Sequence, residues 1–245
     1  MNSITVAELL NMSERILDDL RSLIVCSRPP NGGPDRLRVA LVLTIAEQFE
    51  AMLRLANAHM STHSAMHVRS MIETLIAIRM LGFNADYVDQ MKYEQLRGEL
   101  RVYKGVLDDP NIPEHLKVPI RTRYDICENE CKAYRTNGLK PKKISDSFGP
   151  AQLVHLVGPY SMLCAFSHND LAVLALRHQG EKSMIYRSDD SPELVQSIVS
   201  IALQVLMDAT NQFGKIAKFS EDRFDSVFAA MNQKRDSVWD KSVTL

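Results

Sequence analysis

The sequence lacks a run of about 20 apolar residues such as crosses a bilayer. Its densest apolar stretches, Val39 to Ala46 and Ile198 to Met207, read as too short or too interrupted. The first ten residues carry Glu8 and no basic segment followed by an apolar run, which excludes a signal peptide of the usual pattern. A soluble, cytoplasmic chain with no membrane partner is expected. Excess charge is also missing: 29 Lys and Arg stand against 30 Asp and Glu, a net charge of -1. No overall field draws the chain to nucleic acid, so such a partner must meet a local patch. The four cysteines, Cys26, Cys127, Cys131 and Cys164, form no C-x-x-C pair and read as free thiols. There is no Gly-rich phosphate loop, no G-x-S-x-G and no aromatic-plus-basic sheet signature for single-stranded nucleic acid. Strand alternation and fixed-period repeats are absent too, which excludes sheet and solenoid architectures.

What is present is helical periodicity and enough apolar material, 45% of residues, for a substantial core. Thr5 with Glu8 is a capping-box pattern, and a first helix runs from there to about Cys26. Pro29-Pro30 and Gly32-Gly33 force a loop. A second helix extends from about Asp35 to Met60, and a third, capped by Ser61-Thr62, to Gly82; the two are also readable as one kinked rod. A charge-rich fourth helix covers Asn84 to Asp109, and a fifth runs from Glu114 to Tyr134, with Pro119 as a place to kink or restart. The most basic spot, Lys140, Lys142 and Lys143, falls in a long loop between Asn137 and Pro150. Helical spacing returns to His178, with an expected break at Gly158-Pro159. An irregular piece follows to Asp190. Ser191-Pro192-Glu193 opens another helix, and a last one follows Ser220 to about Trp239. The expected fold is all-α, a single bundle of seven to nine helices over residues 1–245, with helices in 192–239 packing on the rest.

Few residues stand out chemically. Arg69 and Glu73 share one face of the third helix with Ala65, Met66, Ile72, Ile76 and Met80 around them. Desolvating two charges costs several kcal/mol per ion unless they are paired, so the pair is either a tie between helices or part of a site. Tyr160, Ser161, Ser167, His168, Asn169 and Asp170 form a second polar group. His168 there shares a face with Ser161, Cys164, Ala165, Ala172 and Ala175, so it is either a histidine at a close helix crossing or the wall of a pocket. His59, His63 and His67 fall four apart, a spacing that brings transition-metal ligands together; the serines and threonines around them equally suit a solvated polar face. Arg54 and His59 match the arginine-x4-histidine spacing of metal-independent helical ribonucleases of the HEPN superfamily.

The segment Ala65-Met66-His67-Val68-Arg69-Ser70-Met71-Ile72-Glu73, followed by Tyr160 and Ser167-His168, resembles the bacterial domain-of-unknown-function family 5677. That family pairs an "R-S-hydrophobic-hydrophobic-E" helix with a later "Y...S-x-H" or "S-H" segment. The resemblance covers about residues 37–178. It implies an all-helical fold similar to HEPN-type bundles and singles out Arg69, Glu73, Tyr160, Ser167 and His168, without bringing an activity. In catalytic HEPN proteins the arginine and histidine share one helix; here Arg69 and His168 lie far apart in sequence. Two readings follow. In one, the chain is a metal-independent ribonuclease or toxin of bacterial stress or phage defence, with RNA as substrate and an antitoxin or other partner protein. His168 is its acid or base, Arg69 stabilises phosphate charge, and Glu73 orients Arg69, with Tyr160, Ser167, Asn169 and Asp170 in support. In the other, the chain is a non-catalytic module that docks a partner or forms a homodimer around a buried Arg-Glu-His network. No cofactor is expected in either; a metal site at His59, His63 and His67 is the remaining variant.

Overall fold

The computed structural model describes residues 4–242. Nine α-helices and no strand occur among them, so the fold is all-α. Helix α1 (Val6–Cys26) starts on the capping box read from the sequence. The Thr5 hydroxyl accepts from the Glu8 N–H at 3.2 Å, and the Glu8 carboxylate accepts from the Thr5 N–H at 2.9 Å, so two free amide donors are satisfied reciprocally. Helix α2 (Gly33–Asn57) begins after the Pro-Gly loop, where Gly33 takes the left-handed φ of +74° that a side chain would strain. A three-residue link with His59 at φ 56° separates α2 from α3 (Ser61–Phe83), so these are two helices rather than one kinked rod.

The chain continues through α4 (Tyr87–Asp108), α5 (Glu114–Thr136), α6 (Val157–His168), α7 (Leu171–His178), α8 (Pro192–Ile216) and α9 (Arg223–Ser242). Pro119 lies inside α5 without ending it. The break expected at Gly158-Pro159 falls instead at Asn169-Asp170. Gly158 and Pro159 occupy the first turn of α6, where amide groups have no intrahelical partner and proline forfeits nothing. Asn169 adopts the left-handed conformation, φ 52°, and terminates the helix. Ala172 and Ala175 therefore belong to α7 and do not share a helix face with His168.

Two compact units result. One runs to Gly82 and resumes at Ser147; the other comprises Phe83–Asp146. In the first, α8 packs against α1, α2 and α9. Ile198, Ala202, Leu203, Val205, Leu206 and Phe213 are all fully buried, while Ser197, Gln204, Asp208, Asn211 and Lys215 form a narrower polar stripe that reaches the surface. By length and mean hydropathy this 25-residue helix does meet the requirement for crossing a membrane, which its longest unbroken apolar stretch understates; more than half of that window is buried in the bundle. At its end Gly214 admits the Phe224 ring, which a Cβ there would meet at 2.2 Å.

The second unit is the pair α4 and α5. Its small core holds Tyr93, Leu96, Cys127 and Cys131. The basic loop is tied to α4: the Gln90 side chain donates to the Lys140 carbonyl at 3.0 Å, the Lys142 N–H donates to Glu94 at 3.0 Å, and the Lys142 ammonium lies 5.5 Å from the Tyr87 ring centre.

Because Leu206 is wholly enclosed, Leu206→Ala is expected to lower unfolding free energy by about 2–5 kcal/mol in a urea titration of the purified protein.

Candidate functional site

Three of the residues singled out by sequence meet. Tyr160 on α6 donates its hydroxyl proton to Glu73 Oε1 at 2.7 Å, and its oxygen accepts from Arg69 Nε at 3.4 Å. Arg69 and Glu73, one turn apart on α3, form an ion pair at 3.2 Å, and the guanidinium lies 5.6 Å from the Tyr160 ring centre. Phe148 packs edge-on against the Tyr160 ring, the two ring centres 5.3 Å apart. Burial, then the hydrogen bond to Glu73, pushes the Tyr160 phenol well above its usual range, and the bond to Tyr160 raises the Arg69 guanidinium. The pair is not sealed inside the bundle: 29% and 36% of the two side chains remain exposed. Ala65, Ile72 and Ile76 are buried, whereas Met66 is half exposed, so Arg69 and Glu73 stand at the margin of the apolar face.

His168 does not join them. It is exposed at the last residue of α6, about 12 Å along the helix axis from Tyr160. Among the described residues no hydrogen bond or ion pair links it to Arg69, Glu73 or Tyr160. The Ser167 hydroxyl donates to the Leu163 carbonyl of its own helix, and Asp170 is exposed at the start of α7, where its carbonyl accepts the first helical N–H groups. In place of the expected buried Arg-Glu-His network there is an Arg-Tyr-Glu network with Tyr160 buried and its two charged members about one third exposed. Arg54 points to solvent and pairs with Glu50. His59 sits in the link before α3 rather than on the helix with His63 and His67, and no group of three His, Cys, Asp or Glu among the described residues is arranged to hold a metal.

A different polar group converges at the start of α3. Ser61 and Thr62 are buried there, and their free N–H groups donate to Asp190 Oδ2 at 2.6 and 3.4 Å, from just before α8. Arg177 on α7 is only 8% exposed. It donates from Nη2 to the Thr62 carbonyl and from Nη1 to the Asn169 side chain, both at 2.9 Å, which leaves Nε without a partner. The segment after α7 turns tightly at Gly180, whose N–H donates to the Ser183 carbonyl at 3.0 Å, and returns alongside α7: Ser188 N–H donates to the Arg177 carbonyl at 2.9 Å. Between these elements lies a cavity of about 170 Å³ with His59, His63, Arg177, His178, Arg187 and Asp190 in its wall.

The electrostatics of this cavity suit proton transfer beside an anion. His63 is held below the usual histidine pKa, first by burial and then by the positive charge of Arg177; Asp190 opposes this, and His178 and Arg187 reinforce it. His63 is therefore biased to the neutral form, a base. His178 Nδ1 faces two carbonyl oxygens, those of Tyr186 at 3.0 Å and Ile185 at 3.3 Å. Oxygens only accept, so Nδ1 carries the proton and Nε2 is the nitrogen left for acid-base work. Burial lowers the Arg177 guanidinium, with Asp190 opposing. Sequence reasoning had His63 and Asn169 but missed Arg177, His178, Arg187 and Asp190. The adjacent pair Arg177-His178 at a helix end was the one signal available.

Two outcomes are expected. Tyr160→Phe removes the phenol that joins both charges and should cost about 1–2 kcal/mol in chemical denaturation at neutral pH. Arg69→Ala should cost no more, since Glu73 reaches water. The depressed His63 gives the second outcome. Above pH 6.5 both folded and unfolded forms are neutral and nothing is lost; as pH falls below 6.5 the unfolded chain takes up the proton first, so stability drops until the folded pKa is passed. Melting temperatures measured from pH 7.5 to 5 should therefore fall less steeply in His63→Gln than in the parent.

No curated protein and no solved structure matches this chain. A family model described as "Family of unknown function (DUF5677)" matches residues 35–184, a span that takes in α3, α6 and α7 and with them Arg69, Glu73, Tyr160, His63, Arg177 and His178. With more than half of its length matched, the chain belongs to DUF5677, a family of unknown function.

Proposed function

We propose that this chain is a metal-independent ribonuclease whose reaction centre is the cavity at the start of α3. The observation that carries this reading is the meeting of two histidines, His63 and His178, with two arginines in one cavity wall. Neutral His63 takes the proton from a ribose 2′-hydroxyl. The freed 2′ oxygen attacks phosphorus, the P–O5′ bond breaks, and protonated His178 gives the Nε2 proton to the leaving 5′ oxygen. Arg177 and Arg187 offset the charge that builds on the phosphoryl oxygens. The products are a 2′,3′-cyclic phosphate and a 5′-hydroxyl. With a net charge of -1, attraction to RNA rests on local patches, and the exposed Lys140, Lys142 and Lys143 are the natural choice. In this reading the protein acts in the cytoplasm, in bacterial stress or phage defence, and an antitoxin or other partner would act by covering the cavity.

A second reading, a non-catalytic helical module that docks a partner or a second copy, is favoured by one observation: Arg69, Glu73 and Tyr160 bind one another and tie α3 to α6. It expects RNA or protein to bind without turnover.

The two are separated by incubating the purified protein with end-labelled RNA in excess chelator. Cleavage to cyclic-phosphate ends is expected, reduced about 10²-fold or more in His63→Ala and in His178→Ala and unchanged in His168→Ala. Intact RNA, or equal cleavage by His63→Ala, overturns the ribonuclease reading.

A further inference from the structure

Next to the polar cavity lies a second one of about 370 Å³, and the two share His59 and Asp190 as a common wall. The second is of another character. Ala7, Leu10, Ala56, Pro192 and Val195 give it an apolar lining, while Asn57, Ser61 and Asp189 place a few polar groups in it. Such a lining, apolar with a small number of polar groups, is the usual make-up of an organic-ligand site.

We infer that the two cavities together seat one nucleotide, with its phosphate beside Arg177 and Arg187 and its base in the apolar chamber. This rests on the phosphate-site reading above and extends it to the base. An acyl chain would also fill an apolar chamber beside an anion site. It would, however, leave the Asp189 carboxylate facing hydrocarbon, whereas the edge of a base carries donors for it. Asp190 on the shared wall is occupied by the N–H groups of α3, so the base-reading carboxylate is Asp189. A base held there also explains why the anion site need not be strongly cationic: part of the affinity comes from burying the ring.

The test is calorimetric titration of the full chain with inorganic phosphate and with the four nucleoside 5′-monophosphates. At least one nucleotide is expected to bind about tenfold or more tightly than phosphate. Ala7 is exposed at the apolar chamber, so Ala7→Trp narrows that chamber with little demand on folding, which a thermal melt confirms. In this variant nucleotide affinity should fall to that of phosphate while phosphate binding is unchanged. Arg187→Ala, also at an exposed position, should weaken phosphate and nucleotide alike. If phosphate binds and no nucleotide binds more tightly, or if Ala7→Trp leaves nucleotide affinity intact, the base chamber is overturned and the phosphate site stands. Binding of neither overturns both.

Discussion

Ser61 and Thr62 begin α3 beneath the surface, where the free N–H groups of a first helical turn cannot turn to water. Something must accept from them, and the acceptor is the carboxylate of Asp190, 129 residues further along the chain. That one requirement organises the region. It holds the segment ahead of α8 against the start of α3, which in turn keeps the loop after α7 close by. Arg177 fastens the other side, through the Thr62 carbonyl and the Asn169 side chain at the corner between α6 and α7. The cavity is the space these attachments leave, and its charge is set by the same residues. Asp190 partly compensates Arg177 and Arg187, so the wall is cationic without being uniformly so.

The two polar groups of the chain consequently have different work. Arg69, Tyr160 and Glu73 form a closed set in which each partner satisfies another, with Phe148 packed on the ring. A set that satisfies itself offers little to an incoming ligand. The group at the start of α3 is not closed in this way: buried Arg177 Nε and the Ser61 hydroxyl lack partners, and the His178 ring is held through Nδ1 alone, against the Tyr186 and Ile185 carbonyls.

Helix boundaries were largely legible because apolar spacing, Thr5 with Glu8, and Ser191 with Pro192 are local signals that local physics decides. The break at Asn169 was missed because a left-handed residue followed by a helix start looks, in sequence, like an uninterrupted stretch, while Gly158-Pro159 looks like an interruption and is harmless in a first turn. The pairing of Arg69 with Glu73 was legible from the spacing on α3; the family pattern pointed to Tyr160 only as a supporting residue, and the third member of the network was expected to be His168. His168 was misjudged for the reason just given: moving the break shortens α6 and leaves that residue at its exposed end. Arg187 and Asp190 gave no local sign, and Arg177 none beyond its place next to His178 at a helix end. Their placement follows from a tertiary demand, an uncapped buried helix start, that only the folded chain creates.

The distance in sequence between Asp190 and α3 also bears on stability. A contact that closes so long a loop costs more chain entropy than a local one, so the cap on α3 depends on the rest of the bundle being in place. The same carboxylate that borders the cavity thereby also holds the first turn of α3, and a substitution at Asp190 would be felt in both.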